Sequence, residues 1–149
     1  YVYSIDTLDS NGDYRKLHHN DLKYSYRFSG LDKSFLITSI VLKNHKKKFN
    51  ESLLEKLNIQ RKSSQPVNQL SCGCIFKNPE NKIASKLIEQ SDLKGTRVGG
   101  IYVSNKHANY FINDGSGTFH DFVSLLEIVK DKVSVKFRTL LEEEVILIK

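Results

Sequence analysis

Apolar positions alternate with polar ones near the start of the chain and recur at helical spacing through its middle and end. Val2 to Ile5 and Tyr14 to Leu17 read as two short strands, joined by Asp9-Ser10-Asn11-Gly12-Asp13. The Asn11-Gly12 pair favours positive backbone angles and marks a hairpin. His19 to Leu22 predicts a single helical turn, and the Ile-, Val- and Phe-rich run Ser34 to Lys43 predicts a buried strand. Leu53, Leu54, Leu57 and Ile59 predict a helix from Asn50 to about Arg61, with Asn50 or Ser52 as its cap. Ser63-Ser64-Gln65-Pro66 breaks that helix, since proline forces the residue before it to be extended.

Beyond the break, Leu70 to Pro79 contains Gly73 and Pro79 and reads as a structured loop or short strand. Ile83, Ala84, Leu87 and Ile88 predict a second helix, ended before Gly95. Val98 to Val103 and Tyr110 to Ile112 predict strands, the first carrying Gly99-Gly100. Thr118 with Asp121 forms a capping pair for a third helix, whose face holds Phe122, Leu125, Leu126, Val129, Val133 and Phe137. Glu144 to Ile148 predicts a closing strand. Strands and helices are mixed without a sustained repeat, which makes α+β the natural class. The Ser63–Pro66 break divides the chain into residues 1–62 and 63–149.

Composition narrows the choices. The chain has 149 residues, 39% hydrophobic and 27% charged, enough to bury a core and too apolar for a disordered chain. The longest apolar-rich run, Phe35 to Leu42, is too short to span a membrane. The net charge of +6 comes from 18 Lys and 5 Arg against 17 acids. Base-reading proteins lean on arginine forks, and the one dense cluster, His45-Lys46-Lys47-Lys48, reads as a solvated basic turn. A nucleic-acid partner is therefore not expected, whereas a phosphorylated ligand suits the charge. Cys72 and Cys74 are too close for an unstrained bridge and point to a reducing, cytoplasmic setting. The chain contains no methionine and opens at Tyr1, so it is expected to be the rear part of a longer protein or to have lost its front.

The densest unusual stretch is Ser71-Cys72-Gly73-Cys74-Ile75-Phe76-Lys77-Asn78-Pro79. A thiol titrates near ~8.5, so at neutral pH Cys74 carries a proton that it can donate. The plain alternative is that Cys74 is a small buried residue. His107, in Lys106-His107-Ala108-Asn109, suits a structural histidine at a strand edge as well as a binding one. No four-ligand metal set is apparent, and no metal is expected. Alternation along a closing strand would put Glu142 and Glu144 on one face and Glu143 on the other. Arg27, between Tyr26 and Phe28, reads on its own as a surface arginine with a packed stem.

Taken as an ordered series, these residues carry a resemblance. Tyr26-Arg27-Phe28-Ser29, Gln65-Pro66, Ser71 to Pro79, Ala84-x-x-Leu87-Ile88-Glu89 and Leu93-Lys94-Gly95 appear in turn. Gly99-Gly100, Val103-Ser104-x-Lys106-His107-Ala108-Asn109, Ile112-Asn113 and Leu141-Glu142-x-Glu144-Val145 follow. The series is similar to that of the UDP-N-acetylenolpyruvoylglucosamine reductases (UDP-N-acetylmuramate dehydrogenases), over nearly the whole chain.

The resemblance implies a flavoenzyme of peptidoglycan precursor synthesis, with FAD in two N-terminal lobes and the UDP-sugar largely in a third. NADPH reduces the flavin, hydride passes to C3 of UDP-N-acetylglucosamine enolpyruvate, and an acid protonates C2. It assigns the acid to Cys74, where relatives have Ser or Cys, and stabilisation of the enol intermediate to Arg27 and Glu144. Asn78 and His107 align with positions lining the substrate site, and Lys77 neighbours it. It assigns no flavin-contacting residue and leaves the oligomeric state open. The glycine-rich segments that embrace the FAD pyrophosphate have no counterpart here. Residues 1–62 thus correspond to the last part of a flavin lobe and 63–149 to the substrate domain, and the chain alone is expected to lack activity. Three positions depart from the pattern: Ser64 stands where some relatives have Lys, Arg138 where Gly is usual, and Glu143 where Pro is common. The alternative reading is a non-catalytic UDP-sugar-binding module of cell-wall metabolism.

Overall fold

The computed structural model describes residues 1–31, 34–44 and 48–148. His45, Lys46 and Lys47 of the basic cluster lie outside the described residues. The architecture is α+β, in two compact units, Tyr1–Phe49 and Asn50–Lys149. The break expected after residue 62 thus falls inside the second unit, to which α1 belongs.

The first unit is an antiparallel sheet of β1 (Val2–Leu8), β2 (Tyr14–His18) and β3 (Leu36–Leu42), in the order β2-β1-β3. The β1–β2 hairpin runs from Ser4↔His18 to Leu8↔Tyr14. Its turn is held by Asp9, whose Oδ1 accepts from the Asn11 and Asp13 amides at 2.9 and 3.1 Å, with Gly12 at φ +86°. A single 3-10 turn, His19–Asp21, follows. β3 corrects one expectation: it is a strand, but all seven of its residues are exposed. It lies at the sheet edge, and the described residues of this unit include no α-helix or second sheet to cover it.

In the second unit α1 (Glu51–Ser64) starts at Asn50, whose side chain accepts from the Leu53 amide at 2.9 Å. It runs three residues past the expected end. Ser63 and Ser64 do not break it, because their hydroxyls bond back to the Gln60 carbonyl at 2.9 and 2.7 Å. The helix stops at Gln65 and Pro66.

The core packs α2 (Ala84–Gln90) and α3 (Phe119–Phe137) with a sheet of β4 (Arg97–Val98), β5 (Ile101–Val103) and β6 (Phe111–Asn113). The predicted strand Val98 to Val103 is a tight hairpin instead, turned at Gly99-Gly100. Gly99 has φ +51°, and a Cβ at Gly100 would collide with the backbone of Gly117, so both glycines are required. The Thr118–Asp121 capping box forms as expected, with bonds of 3.1 and 2.9 Å. Leu125, Leu126, Val129 and Val133 are buried, and Phe122 meets Phe111 edge to face at 5.5 Å.

The closing strand expected over Glu144 to Ile148 does not form. Only an isolated bridge between Phe76 and Glu143 exists, and Ile146 and Ile148 are each 86% exposed. The potential ladder partner ends at Lys77, because Asn78-Pro79 leads into α2.

α3 ends at Arg138, which takes the left-handed conformation (φ 49°, ψ 41°) where glycine is favoured. Arg138→Gly removes that Cβ strain and should stabilise the chain by about 1 kcal/mol, read as a rise in urea midpoint. An unchanged or lower midpoint would show that the arginine side chain compensates the strain.

Candidate functional site

The Cys74 loop begins where α1 stops. Pro66 is buried, the Gln69 amide donates to the Pro66 carbonyl at 3.1 Å, and Gly73 turns the chain at φ +87°. Residues 74–77 then form an extended strip with a partner on each side. On one side Cys74 bridges Tyr110, and the Ile75 amide donates to the Asn109 carbonyl at 2.9 Å. On the other, the Lys77 amide donates to the Glu142 carbonyl and the Glu144 amide to the Ile75 carbonyl, both at 2.8 Å.

Asn109 reinforces the strip through its side chain. Its Oδ1 accepts from the Phe76 amide at 3.0 Å and its Nδ2 donates to the Phe76 carbonyl at 2.8 Å. The residue is 3% exposed and Phe76 1%, so these groups have no water to fall back on.

The same strip sorts the three consecutive acids. Glu142 pairs with Lys77, and Glu143 with Lys130 of α3 at 2.6 Å. The Lys130 hydrogen bond holds the Glu143 carboxyl below its ordinary value. Glu144, half-buried, instead acts on the Tyr110 ring hydroxyl. The expectation that Glu142 and Glu144 share the face of a regular strand does not apply, since no strand forms there.

Tyr110 stands at the centre of the cluster. Its hydroxyl donates to Gln65 Oε1 at 3.1 Å, and the neighbouring Cys74 side chain favours the protonated phenol. Burial pushes the phenol above its ordinary value; negative charge at Cys74 and Glu144 pushes the same way, and Arg61 of α1 opposes it. His107 packs edge to face on Tyr110 at 4.8 Å. Its Nδ1 is buried with no hydrogen-bond partner among the described residues. Burial lowers the His107 pKa, Lys94 adds to the effect, and Glu89 and the backbone oppose it. The imidazole is thus neutral at neutral pH.

Asn78 sits at the end of the strip, where its Oδ1 accepts from the Ala84 amide at 3.0 Å and caps α2. Arg27 lies in the first unit, in a two-residue turn closed by Ser25–Phe28 backbone bonds of 3.0 and 3.1 Å. Its φ is 58°, a strained value for a non-glycine residue, and its guanidinium lies over the Tyr26 ring at 5.4 Å. Cys74, His107 and Glu144 therefore come together around Tyr110, whereas Asn78 holds a helix end. Sequence reasoning quoted Gln65 in a motif without giving it a role and placed Tyr110 only as the start of a strand.

Cys72 is exposed and lines a separate groove of about 360 Å³ between Leu70, Phe111, Phe119 and Phe122. A hollow of about 520 Å³ in the first unit, beside Tyr1, Tyr3, His18 and Lys43, contains none of the candidate residues. Among the described residues no group of three or more His, Cys, Asp or Glu is placed to hold a metal ion, and no helix is long and apolar enough to cross a membrane.

The family model described as UDP-N-acetylenolpyruvoylglucosamine reductase, C-terminal domain, matches residues 65–148. The chain belongs to that family. The UDP-N-acetylenolpyruvoylglucosamine reductase of Aquifex aeolicus is 39% identical over 151 residues, covering 99% of this chain and 50% of the relative. That of Fusobacterium nucleatum is 36% identical over 149 residues, covering 99% and 53%. The crystal structure of UDP-N-acetylenolpyruvylglucosamine reductase from Thermus caldophilus is 29% identical, with a TM-score of 0.79 over 96% of this chain and 51% of that one. The chain spans about half the length of the curated relatives it matches. The reductase-family match opens at Gln65, the acceptor of the Tyr110 hydroxyl, and takes in Cys74, Asn78, His107 and Glu144.

The bidentate Asn109 contact makes a direct prediction. Asn109→Ala leaves the buried Phe76 amide and carbonyl without the Asn109 partners, at about 1–3 kcal/mol each, so a loss of about 2–6 kcal/mol should appear in urea denaturation. A loss below about 1 kcal/mol would mean that water or a shifted backbone replaces both bonds.

Proposed function

We propose that this chain supplies the substrate-handling half of a UDP-N-acetylenolpyruvoylglucosamine reductase, which converts UDP-N-acetylglucosamine enolpyruvate to UDP-N-acetylmuramate in the cytoplasm. The observation that carries the reading is the strip that sets Cys74 between Tyr110 and the Glu142–Glu144 segment, inside the span of the family match. Residues 63–149 are read as the substrate domain and 1–62 as the end of a flavin lobe.

Reduction of an enolpyruvyl double bond needs a hydride equivalent at one carbon and a proton at its neighbour. The residues of this chain provide for the proton side. Cys74 gives the proton to C2, and a thiol, several units more acidic than an alcohol, does so readily. Arg27 is assigned the positive charge for the substrate carboxylate, and Glu144 stabilises the enol form. His107 and Asn78 complete the substrate contacts; a neutral His107 presents its unpaired Nδ1 as a polar group for a ligand.

FAD and NADPH belong to the reading as the reductant system. The closest glycine approaches among the described residues are filled by protein: Gly99 and Gly100 by Asp121 and Gly117, and Gly117 by Ile101. These three glycines offer no cradle for a pyrophosphate. The 149-residue chain alone is expected to purify colourless and to show no NADPH-dependent reduction of the UDP-sugar. Yellow protein with bound flavin would refute this.

In a complete enzyme containing this sequence, Cys74→Ala should leave NADPH-driven flavin reduction intact. Reoxidation of the flavin by the enolpyruvyl substrate should slow by about 10²–10⁴-fold, the usual worth of a general acid. Stopped-flow absorbance separates the two half-reactions, and equal loss of both would remove Cys74 from the acid role. The alternative, a non-catalytic UDP-sugar-binding module, would show UDP-sugar binding that Cys74→Ala leaves untouched and no turnover in any context.

A further inference from the structure

The sheet of the first unit has two edges of opposite character. β2 reads Tyr14-Arg15-Lys16-Leu17-His18 and carries two exposed cations, a common device for keeping an edge from pairing further. β3 reads Leu36-Ile37-Thr38-Ser39-Ile40-Val41-Leu42, with no charge and no proline. Its aliphatic residues are 44% to 66% exposed, and β1 is its one neighbour among the described residues. The β1–β3 ladder is irregular at Tyr3 and Thr38, but Thr38 bonds inward, its hydroxyl donating to the Asp6 carbonyl at 3.1 Å. The Ser39 hydroxyl is likewise taken by the Asp6 carboxylate.

A strand of this composition belongs inside a sheet rather than at its end. With both hydroxyls engaged, β3 offers outward only aliphatic side chains and an unpaired row of backbone amides and carbonyls. Such a surface fits another strand, not a charged small molecule. The relatives show where that strand comes from. About half of each lies outside the match, and the matched region closes with the family's C-terminal domain at residue 148. In the relatives the unmatched half therefore precedes the counterpart of β1.

We propose that the outer edge of β3 is the docking surface for a half-chain of that kind, which adds an uncharged, largely apolar strand to the sheet. The identity of the partner as a flavin lobe rests on the reading of residues 1–62 as the end of one. Backbone bonds along β3 supply the affinity, and the alternate aliphatic side chains set which strand fits. β2, with its cations, stays the true end of the sheet.

The test is amide hydrogen exchange over Leu36–Leu42 in the 149-residue chain and in two fusions. The fusions place this chain behind the unmatched half of the Aquifex aeolicus reductase and behind that of the Fusobacterium nucleatum one. The outer β3 amides should exchange fast in the chain alone at every concentration, and on the order of 100-fold more slowly in at least one fusion. Ile40→Lys should lower the urea midpoint of that fusion and leave the midpoint of the chain alone unchanged, since Ile40 is 52% exposed there. Unprotected β3 or no cooperative unfolding in both fusions overturns the proposal, as does an equal effect of Ile40→Lys with and without the added half. Protection that grows with the concentration of the chain alone and is unchanged by fusion assigns the edge to a second copy, and overturns it too. Flavin colour reports separately. A yellow fusion with unprotected β3 keeps the reductase reading and removes the docking surface; a colourless fusion with protected β3 keeps the surface and removes the flavin.

Discussion

Residues 74–77 are held open as an extended strip by backbone bonds to Asn109 on one side and to Glu142 and Glu144 on the other. Ile75 and Phe76 are 0% and 1% exposed, so the strip is part of the core, worth about 1.5–3 kcal/mol for each buried side chain. Its polar backbone tolerates that burial because the two flanking segments and the Asn109 amide meet it. The positions of Cys74, Tyr110 and Glu144 all descend from this arrangement. If the strip slipped, the thiol, the phenol and the carboxylate would separate together.

Electrostatics then selects among like groups. Three acids follow one another, but Lys77 takes Glu142 and Lys130 takes Glu143. Glu144 is the member whose charge reaches the tyrosine. The two thiols divide similarly, with Cys72 exposed on a groove and Cys74 half-buried against a phenol. Identity of residue type says little here; the neighbour decides.

Much of this was legible in the sequence where a local rule governs. The Asn11-Gly12 hairpin, the Asn50 cap and the Thr118–Asp121 box depend on neighbours within a few residues, and each formed as predicted. Features set by distant partners were not legible. The apolar run at β3 signals burial, but its unit has no described layer to bury it. Glu144 to Ile148 alternates too little to betray that its ladder partner ends at Lys77. Ser63 and Ser64 look like breakers, yet their hydroxyls found the Gln60 carbonyl. The candidate residues emerged from an ordered family resemblance. Tyr110 and Gln65 meet only because α1 ends beside β6's approach, 45 residues apart in sequence, and no spacing reveals that.

The two flanks of the strip are unequal in what they close. Its Asn109 contacts close loops of 33 residues, and the Lys77–Glu142 contact closes one of 65. Each closure lowers chain entropy, but a doubling of loop length adds only about 0.6 kcal/mol. The far clasp that brings Glu144 toward Cys74 therefore costs the chain little more than the near one that brings Tyr110, and a site gathered from distant segments is almost as cheap to close as one gathered from near ones.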